Sequence, residues 1–281
     1  MSQDKYSAVW VSHSSMSDFL KCPKAYFLHN VYKDPKTGRK INIVSPHLSL
    51  GLAVHSALEE LKNLPAEERA RRDLFLDFEN AWSKVSGKIG GFKTNEEEEE
   101  MKKRGREMIE KVAQNSGPTA RKTVRLKGGE NGMPPNFYLS EKENIILCGL
   151  IDWLEYVPAD NSIRILDFKT GKYDESENSL QLPIYLLLLS ALQKRKVSGA
   201  SYWYLDRDNE PISVDLPNIN EARKKVLEVA MQIKNARERK IYDCPKGEKG
   251  CFACQPFQSI LDGKAEYLGV GGYGQDMYLV D

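Results

Sequence analysis

The sequence predicts an α/β protein, a central mixed β-sheet flanked by helices, with a helical insertion at about residues 66–117. Three observations lead there. The apolar patterns run helix, helix, several strands, helix, strands, helix. Between about residues 120 and 170 the chain is dominated by β-forming runs bounded by turn residues. Hydrophobic residues make up 41% of 281, enough for a sizeable core, and the whole of 1–281 is read as a single domain.

The first helix is expected to open at the S-x-x-D pattern of Ser15 and Asp18 in "SSMSDFLKCPKAYFLHNVY", with a break near Cys22 because Pro23 fits poorly in a helix interior. A second follows in "SPHLSLGLAVHSALEELKN", where Leu50, Val54, Leu58 and Leu61 form one stripe and His55 and Glu59 lie one turn apart on an adjacent face. The stretch at 66–117 is charged and helical in pattern, interrupted by the glycine-rich "SGKIGGFKTN". Strands are predicted in "RKTVRLKG", "NFYLSEKENIILCGLIDWLEYV" and "SIRILDFK", then an apolar helix in "SLQLPIYLLLLSALQKR", two strands in "GASYWYLDR" and "ISVDL", and a basic helix in "NEARKKVLEVAMQIKNARERK".

Composition excludes some classes. No apolar run approaches the roughly 20 residues of a membrane span, and "MSQDKYSAVW" lacks the basic and apolar regions of a secretory signal, so a cytoplasmic protein away from membranes is expected. A net charge of +1 does not decide for or against nucleic acid. The charge run "NEEEEEMKKRGREMIEK" has a plain reading as a solvated helix face. No G-x-x-x-x-G-K-[ST] loop occurs, so an ATP-driven motor would have to lie on another chain.

The chemistry is concentrated in "ILDFKTG". On a strand, Asp167 and Lys169 share one face while Leu166 and Phe168 take the other. An isolated D-x-K is ordinarily a solvated strand end, and its neighbours decide otherwise. "LIDWLEYVPADNSIRILDFK" is a hairpin about "PADN", and centring the turn between Ala159 and Asp160 sets Glu155 opposite Arg164 and Asp152 opposite Asp167. Opposed carboxylates repel unless a cation lies between them. Mg²⁺ suits such a site, because it takes oxygen ligands from one or two carboxylates together with water and phosphate. Lys169, on the same face, then reaches that water or phosphate. Phosphodiester hydrolysis requires such a pairing of metal and ammonium.

The ordered pattern H…D…D-x-K…Q-x-x-x-Y, carried by His55, Asp152, Asp167, Lys169, Gln181 and Tyr185, resembles the PD-(D/E)XK nuclease superfamily, specifically the RecB-like branch with AddB-type and Cas-type exonucleases. The resemblance spans roughly residues 12 to 260 and implies a restriction-endonuclease-like core. It implies that His55, Asp152, Asp167 and the carbonyl of Phe168 bind Mg²⁺ or Mn²⁺, that Lys169 works on the attacking water, and that Gln181 and Tyr185 contact DNA or steady the lysine. The substrate expected from it is DNA, single-stranded or with free ends, in repair, recombination or end processing, with a helicase or another repair or adaptation protein as a possible partner. A catalytically silent DNA-binding subunit of a helicase-nuclease assembly is the alternative. A third reading is an interaction protein stapled by zinc, with an incidental D-x-K.

In a reducing compartment clustered cysteines read as metal or cluster ligands before disulfides. Cys22, in "CPKAYF", resembles the N-terminal cysteine of the cluster-bearing relatives, in which one cysteine near the start and three near the end hold a [4Fe-4S] cluster and clamp the two ends together. Cys244, Cys251 and Cys254 would supply the other three ligands. Their C-x6-C-x2-C spacing departs from the relatives' C-x-x-C-x5-C, with Ile260 where the last cysteine would fall. Structural Zn²⁺ therefore stands beside iron-sulfur as the alternative. Cys148 reads as a core residue.

Overall fold

The turn at residues 158–161 sets the register of the sheet that carries the site. In the computed structural model, which describes residues 5, 7–129 and 132–280, Asn161 takes a left-handed φ of 53°, and Asp160 Oδ1 accepts from Ser162 N (3.2 Å) and Ser162 Oγ (2.6 Å). Asparagine tolerates that conformation and aspartate closes the turn. The flanking strands pair Trp153 with Leu166 and Glu155 with Arg164, the register expected from the turn. The ion pair of Glu155 goes elsewhere, to Arg121 Nη1 at 2.7 Å.

Chain order gives ten strands and nine α-helices among the described residues. The strands are β1 (Val9–Val11), β2 (Ile41–Ile43), β3 (Asn136–Ser140), β4 (Ile145–Cys148), β5 (Trp153–Val157), β6 (Ser162–Lys169), β7 (Val197–Tyr204), β8 (Ile212–Val214), β9 (Glu266–Val270) and β10 (Asp276–Leu279). The helices are α1 (His13–Lys21), α2 (Pro23–Tyr26), α3 (Pro46–Glu60), α4 (Ala66–Arg69), α5 (Leu74–Trp82), α6 (Asn95–Gln114), α7 (Gln181–Leu192), α8 (Ile219–Arg239) and α9 (Gln255–Leu261). The four-stranded sheet runs β5-β6-β7-β8, with β6 and β7 parallel and the outer pairs antiparallel. Two three-stranded sheets, β1-β4-β3 and β2-β10-β9, complete a mixed α/β architecture.

Alternation along β6 sorts its side chains into two cores. Ile163 and Ile165 pack with Leu154, Ala200, Tyr202 and the buried faces of α7 and α8. Leu166 and Phe168 pack on the opposite face with Trp153, Trp203 and the helices α3, α5 and α6. β6 is covered on both faces, buried at Ile163 and from Ile165 through Phe168, with Arg164 half-buried between them. α7 is buried from Gln181 through Leu189, so its apolar character belongs to a core helix. No helix among the described residues is long and apolar enough to cross a membrane.

Several expectations need correcting. The first helix is capped by Ser12, whose side chain and that of Ser15 form a reciprocal capping box, three residues before the expected start. The break at Cys22 is present: its φ of −167° ends α1, and Pro23 restarts the chain as α2. Residues 121–128 form no strand beyond a bridge between Thr123 and Glu155. Arg69 instead holds that segment, donating to the carbonyls of Thr119 (3.0 Å) and Arg121 (2.7 Å) and to Thr123 Oγ1 (2.9 Å), with its guanidinium 4.9 Å from the Trp153 ring centroid. The charge run on α6 does face solvent at Glu96, Glu99, Glu100, Lys103 and Glu107, while Lys102 and Arg106 pair with Glu79 and Arg104 with Asp206 at 2.9 Å. β1, β2, β9 and β10 had no counterpart in the sequence reading.

Gly105, inside α6, marks where that helix meets α3 and α5. A Cβ there would lie 2.4 Å from Phe78 Cζ and 3.0 Å from Leu50 Cδ1, both buried. Alanine normally favours a helix over glycine by about 1 kcal/mol, but overpacking costs about 1–3 kcal/mol. Gly105→Ala is therefore expected to lower stability to urea by about 1 kcal/mol despite the better helix former. An unchanged or raised midpoint would show that the α3–α5–α6 contact is looser than described.

Candidate active site

Where β6 ends, helices from both faces of the sheet reach the same place. α3 brings His55 from one side and α7 brings Gln181 and Tyr185 from the other. Gly51, one turn before His55, lets α3 approach closely, since a Cβ there would sit 3.3 Å from Thr170 Oγ1. His55, Asp152, Asp167, Phe168, Lys169, Gln181 and Tyr185 line one open cavity of about 240 Å³, with Thr170 and Gly171. Every side chain singled out in the D-x-K and Q-x-x-x-Y patterns thus faces one space, together with the histidine. Phe168 differs, because its ring is buried in the second core and only its backbone belongs to the site.

Asp152, one residue before β5, is held from two sides. Its Oδ2 accepts from Phe168 N at 3.1 Å and lies 3.4 Å from His55 Nδ1. Burial pushes its pKa up, but the His55 contact and the Phe168 N–H outweigh it and hold the carboxyl below the usual range. Burial likewise pulls His55 down, and Asp152 more than offsets this, leaving the imidazole above its ordinary value.

Asp167 is the strained member of the pair. Only 1% of it is exposed. Its Oδ1 accepts from Tyr185 OH and from Gln181 Nε2, both at 3.0 Å, and Gln181 Nε2 also donates to Tyr185 OH at 3.1 Å. Its Oδ2 is buried against Lys169 Nζ, which lies 2.9 Å away and donates to it. Burial first, and then the charge of Asp152, push Asp167 up to about 6. A buried carboxylate whose charge is opposed by burial and by a second carboxylate fits a hard divalent cation.

Lys169 is surrounded by acceptors: Asp167 Oδ2, Gln181 Oε1, and Glu175 Oε2 at 2.7 Å. Burial lowers its pKa, but Asp167 and Glu175 outweigh this and keep the ammonium above the ordinary lysine range. Its Nζ also sits 4.9 Å from the Tyr202 ring centroid. Glu175 was missed in the sequence. It lies on the loop after β6, where its backbone N–H donates to Tyr204 OH at 2.9 Å, and no periodicity or motif marks it. A larger cleft of about 610 Å³ adjoins the site, sharing Asp152 and bounded by Lys62, Arg125, Met133, Leu150 and Tyr273.

Far along the sequence from this site, Cys22, Cys244, Cys251 and Cys254 bring their sulfurs within 4.8 Å of one another. All are free thiols. Burial pushes Cys22 up to about 12, whereas Cys251, despite burial, is lowered to about 7 by the N–H groups of Cys254 and Ala253 and by the thiols of Cys22 and Cys244. Cys148 stands apart, half-buried, its Sγ 3.5 Å from the Val11 carbonyl.

A comparison with curated proteins gave no match. The profile of the PD-(D/E)XK nuclease superfamily matches residues 10–259, a span that takes in α1 through α8, both carboxylates, the lysine and all four clustered cysteines. The match covers most of the chain, and the chain belongs to the PD-(D/E)XK nuclease superfamily.

Proposed function

We propose that this chain is a Mg²⁺- or Mn²⁺-dependent deoxyribonuclease of the RecB-like branch, cleaving DNA that is single-stranded or has free ends, in repair, recombination or end processing in the cytoplasm. The observation that supports it most is the buried pair Asp152 and Asp167 lining one cavity, with Asp167 pushed up by burial and by the charge of Asp152, beside a lysine held by three acceptors. His55, Asp152, Asp167 and the Phe168 carbonyl would hold the cation. When bound, it supplies Lewis acidity and neutralises charge on the scissile phosphate.

The remaining work falls to the side chains. Gln181 and Tyr185 fix Asp167 through Oδ1, which leaves Oδ2 to Lys169. Lys169 stays an ammonium beside Glu175 and Asp167, so it stabilises negative charge growing on the phosphate and donates to the attacking water, rather than taking its proton. A helicase or other repair or adaptation protein would join as a separate chain.

The test uses end-labelled linear DNA, single- and double-stranded, with Mg²⁺, Mn²⁺ or EDTA. Cleavage is expected only with metal, and Lys169→Ala is expected to reduce the rate by about 10²–10³-fold, the usual effect of removing one charge-stabilising donor. Undiminished cleavage in EDTA would contradict the proposal. Absence of cleavage by the parent, with DNA still bound, would favour the silent DNA-binding subunit.

Proton and cation compete for Asp167. Its folded pKa of about 6 lies above the unfolded carboxylate value, so stability from the protonated form is present at low pH and is lost as pH rises through about 6. A cation that binds the ionised form recovers it. The rise in melting temperature caused by Mn²⁺ is therefore expected to be large at pH 7.5 and to shrink below pH 6. An equal rise at pH 5 and pH 7.5 would remove Asp167 from the metal site.

A further inference from the structure

The four cysteines meet where the two ends of the chain come together. Cys22 ends α1 and precedes α2, Cys244 lies in the turn after α8, and Cys251 and Cys254 precede α9, with Cys254 as its N-cap residue. Cys22 and Cys254 are fully buried, and with Cys251 and Ala25 they form a small packed cluster against which Cys244 rests.

Sulfur spacing separates the two kinds of centre expected from the sequence. A single tetrahedral ion with bonds of about 2.3 Å places its thiolates about 3.8 Å apart. A four-iron cubane attaches each thiolate to a different iron and so spreads the sulfurs to about 6 Å. Here Cys254 Sγ lies 3.7 Å from Cys244 Sγ and 3.9 Å from Cys251 Sγ, and none of the four is more than 4.8 Å from another. The set has the dimensions of a one-ion site.

The backbone is fitted closely around these positions. Cys251 N donates to Cys254 Sγ at 3.2 Å, and Lys246 N approaches Cys244 Sγ at 3.4 Å. Gly250 takes a φ of +72°, and a Cβ there would stand 3.1 Å from Cys254 Sγ, so the chain closes directly over that sulfur. N–H donors aimed at sulfur favour thiolate, and four thiolates in a tetrahedron suit Zn²⁺.

We propose that Cys22, Cys244, Cys251 and Cys254 bind one Zn²⁺ rather than a [4Fe-4S] cluster. The ion ties α1 and α2 to the segment between α8 and α9 without redox chemistry, and the assignment is independent of the nuclease reading.

The experiment reads metal content on the parent protein, purified without oxygen from cells grown with both iron and zinc. Elemental analysis is expected to give one zinc per chain, with no acid-labile sulfide and no broad visible absorption. Exchange with Co²⁺ is expected to give the visible bands of tetrahedral, thiolate-bound cobalt. Cys244→Ser, at the least buried ligand, is expected to weaken those bands and lower zinc retention. About four irons with sulfide would overturn the proposal, as would a single iron without sulfide. Four freely reactive thiols with no bound metal would also overturn it.

Discussion

A carboxylate that water hardly touches sits at the end of the central sheet, and much of the architecture is arranged around its charge. Asp167 is placed there by the alternation of β6, which sends Leu166 and Phe168 into one core and turns the aspartate toward α7. Ionising it in that position, beside Asp152, costs on the order of a few kcal/mol. The fold reduces this cost without removing it. Tyr185 and Gln181 bond one oxygen and Lys169 lies against the other, and in the function proposed above a cation would offset the balance. A site that is strained when empty binds its ligand with the energy it recovers, as functional sites commonly do.

Both faces of the sheet are needed to build this arrangement. α7 would not present Gln181 and Tyr185 side by side without the first core beneath its apolar residues. α3 would not carry His55 to Asp152 without the second, where Trp153, Phe168 and Trp203 anchor it and Gly51 lets it approach. The helices between residues 66 and 114 fill that second face, so they support the site from behind without contributing a side chain to the cavity. Farther away, β2 pairs with β10, and Cys22 lies beside Cys244, Cys251 and Cys254, so N-terminal and C-terminal segments of the described residues meet.

The readable parts of this molecule were those with local pattern. The hairpin register followed from four turn residues and the rule that side chains alternate, which sets Glu155 opposite Arg164 and Trp153 opposite Leu166, and both Asp152 and Asp167 line one cavity just beyond that pairing. α3 and α7 were visible because stripe and run are helical signatures. The short strands β1, β2, β9 and β10 were not, because three to five residues carry too little periodicity and their pairing is fixed by distant partners, as when Val9 meets Ile145 and Asp276 meets Ile41. Residues 121–128 have the pattern of a strand, yet only one antiparallel bridge to β5 forms, at Thr123 and Glu155, while Arg69 holds the Arg121 carbonyl and the Thr123 hydroxyl. Glu175 escaped notice because a loop acid has no spacing to betray it; only the folded chain brings it to Lys169.

The central claim is that Asp152 and Asp167 share one divalent cation. Titration of the protein with Mn²⁺, followed by the loss of the free-ion electron paramagnetic resonance signal, measures that directly and needs no substrate. The parent is expected to bind one Mn²⁺ at this site, and Asp152→Asn and Asp167→Asn are each expected to weaken it at least tenfold. Equal binding by the parent and both variants would contradict the account.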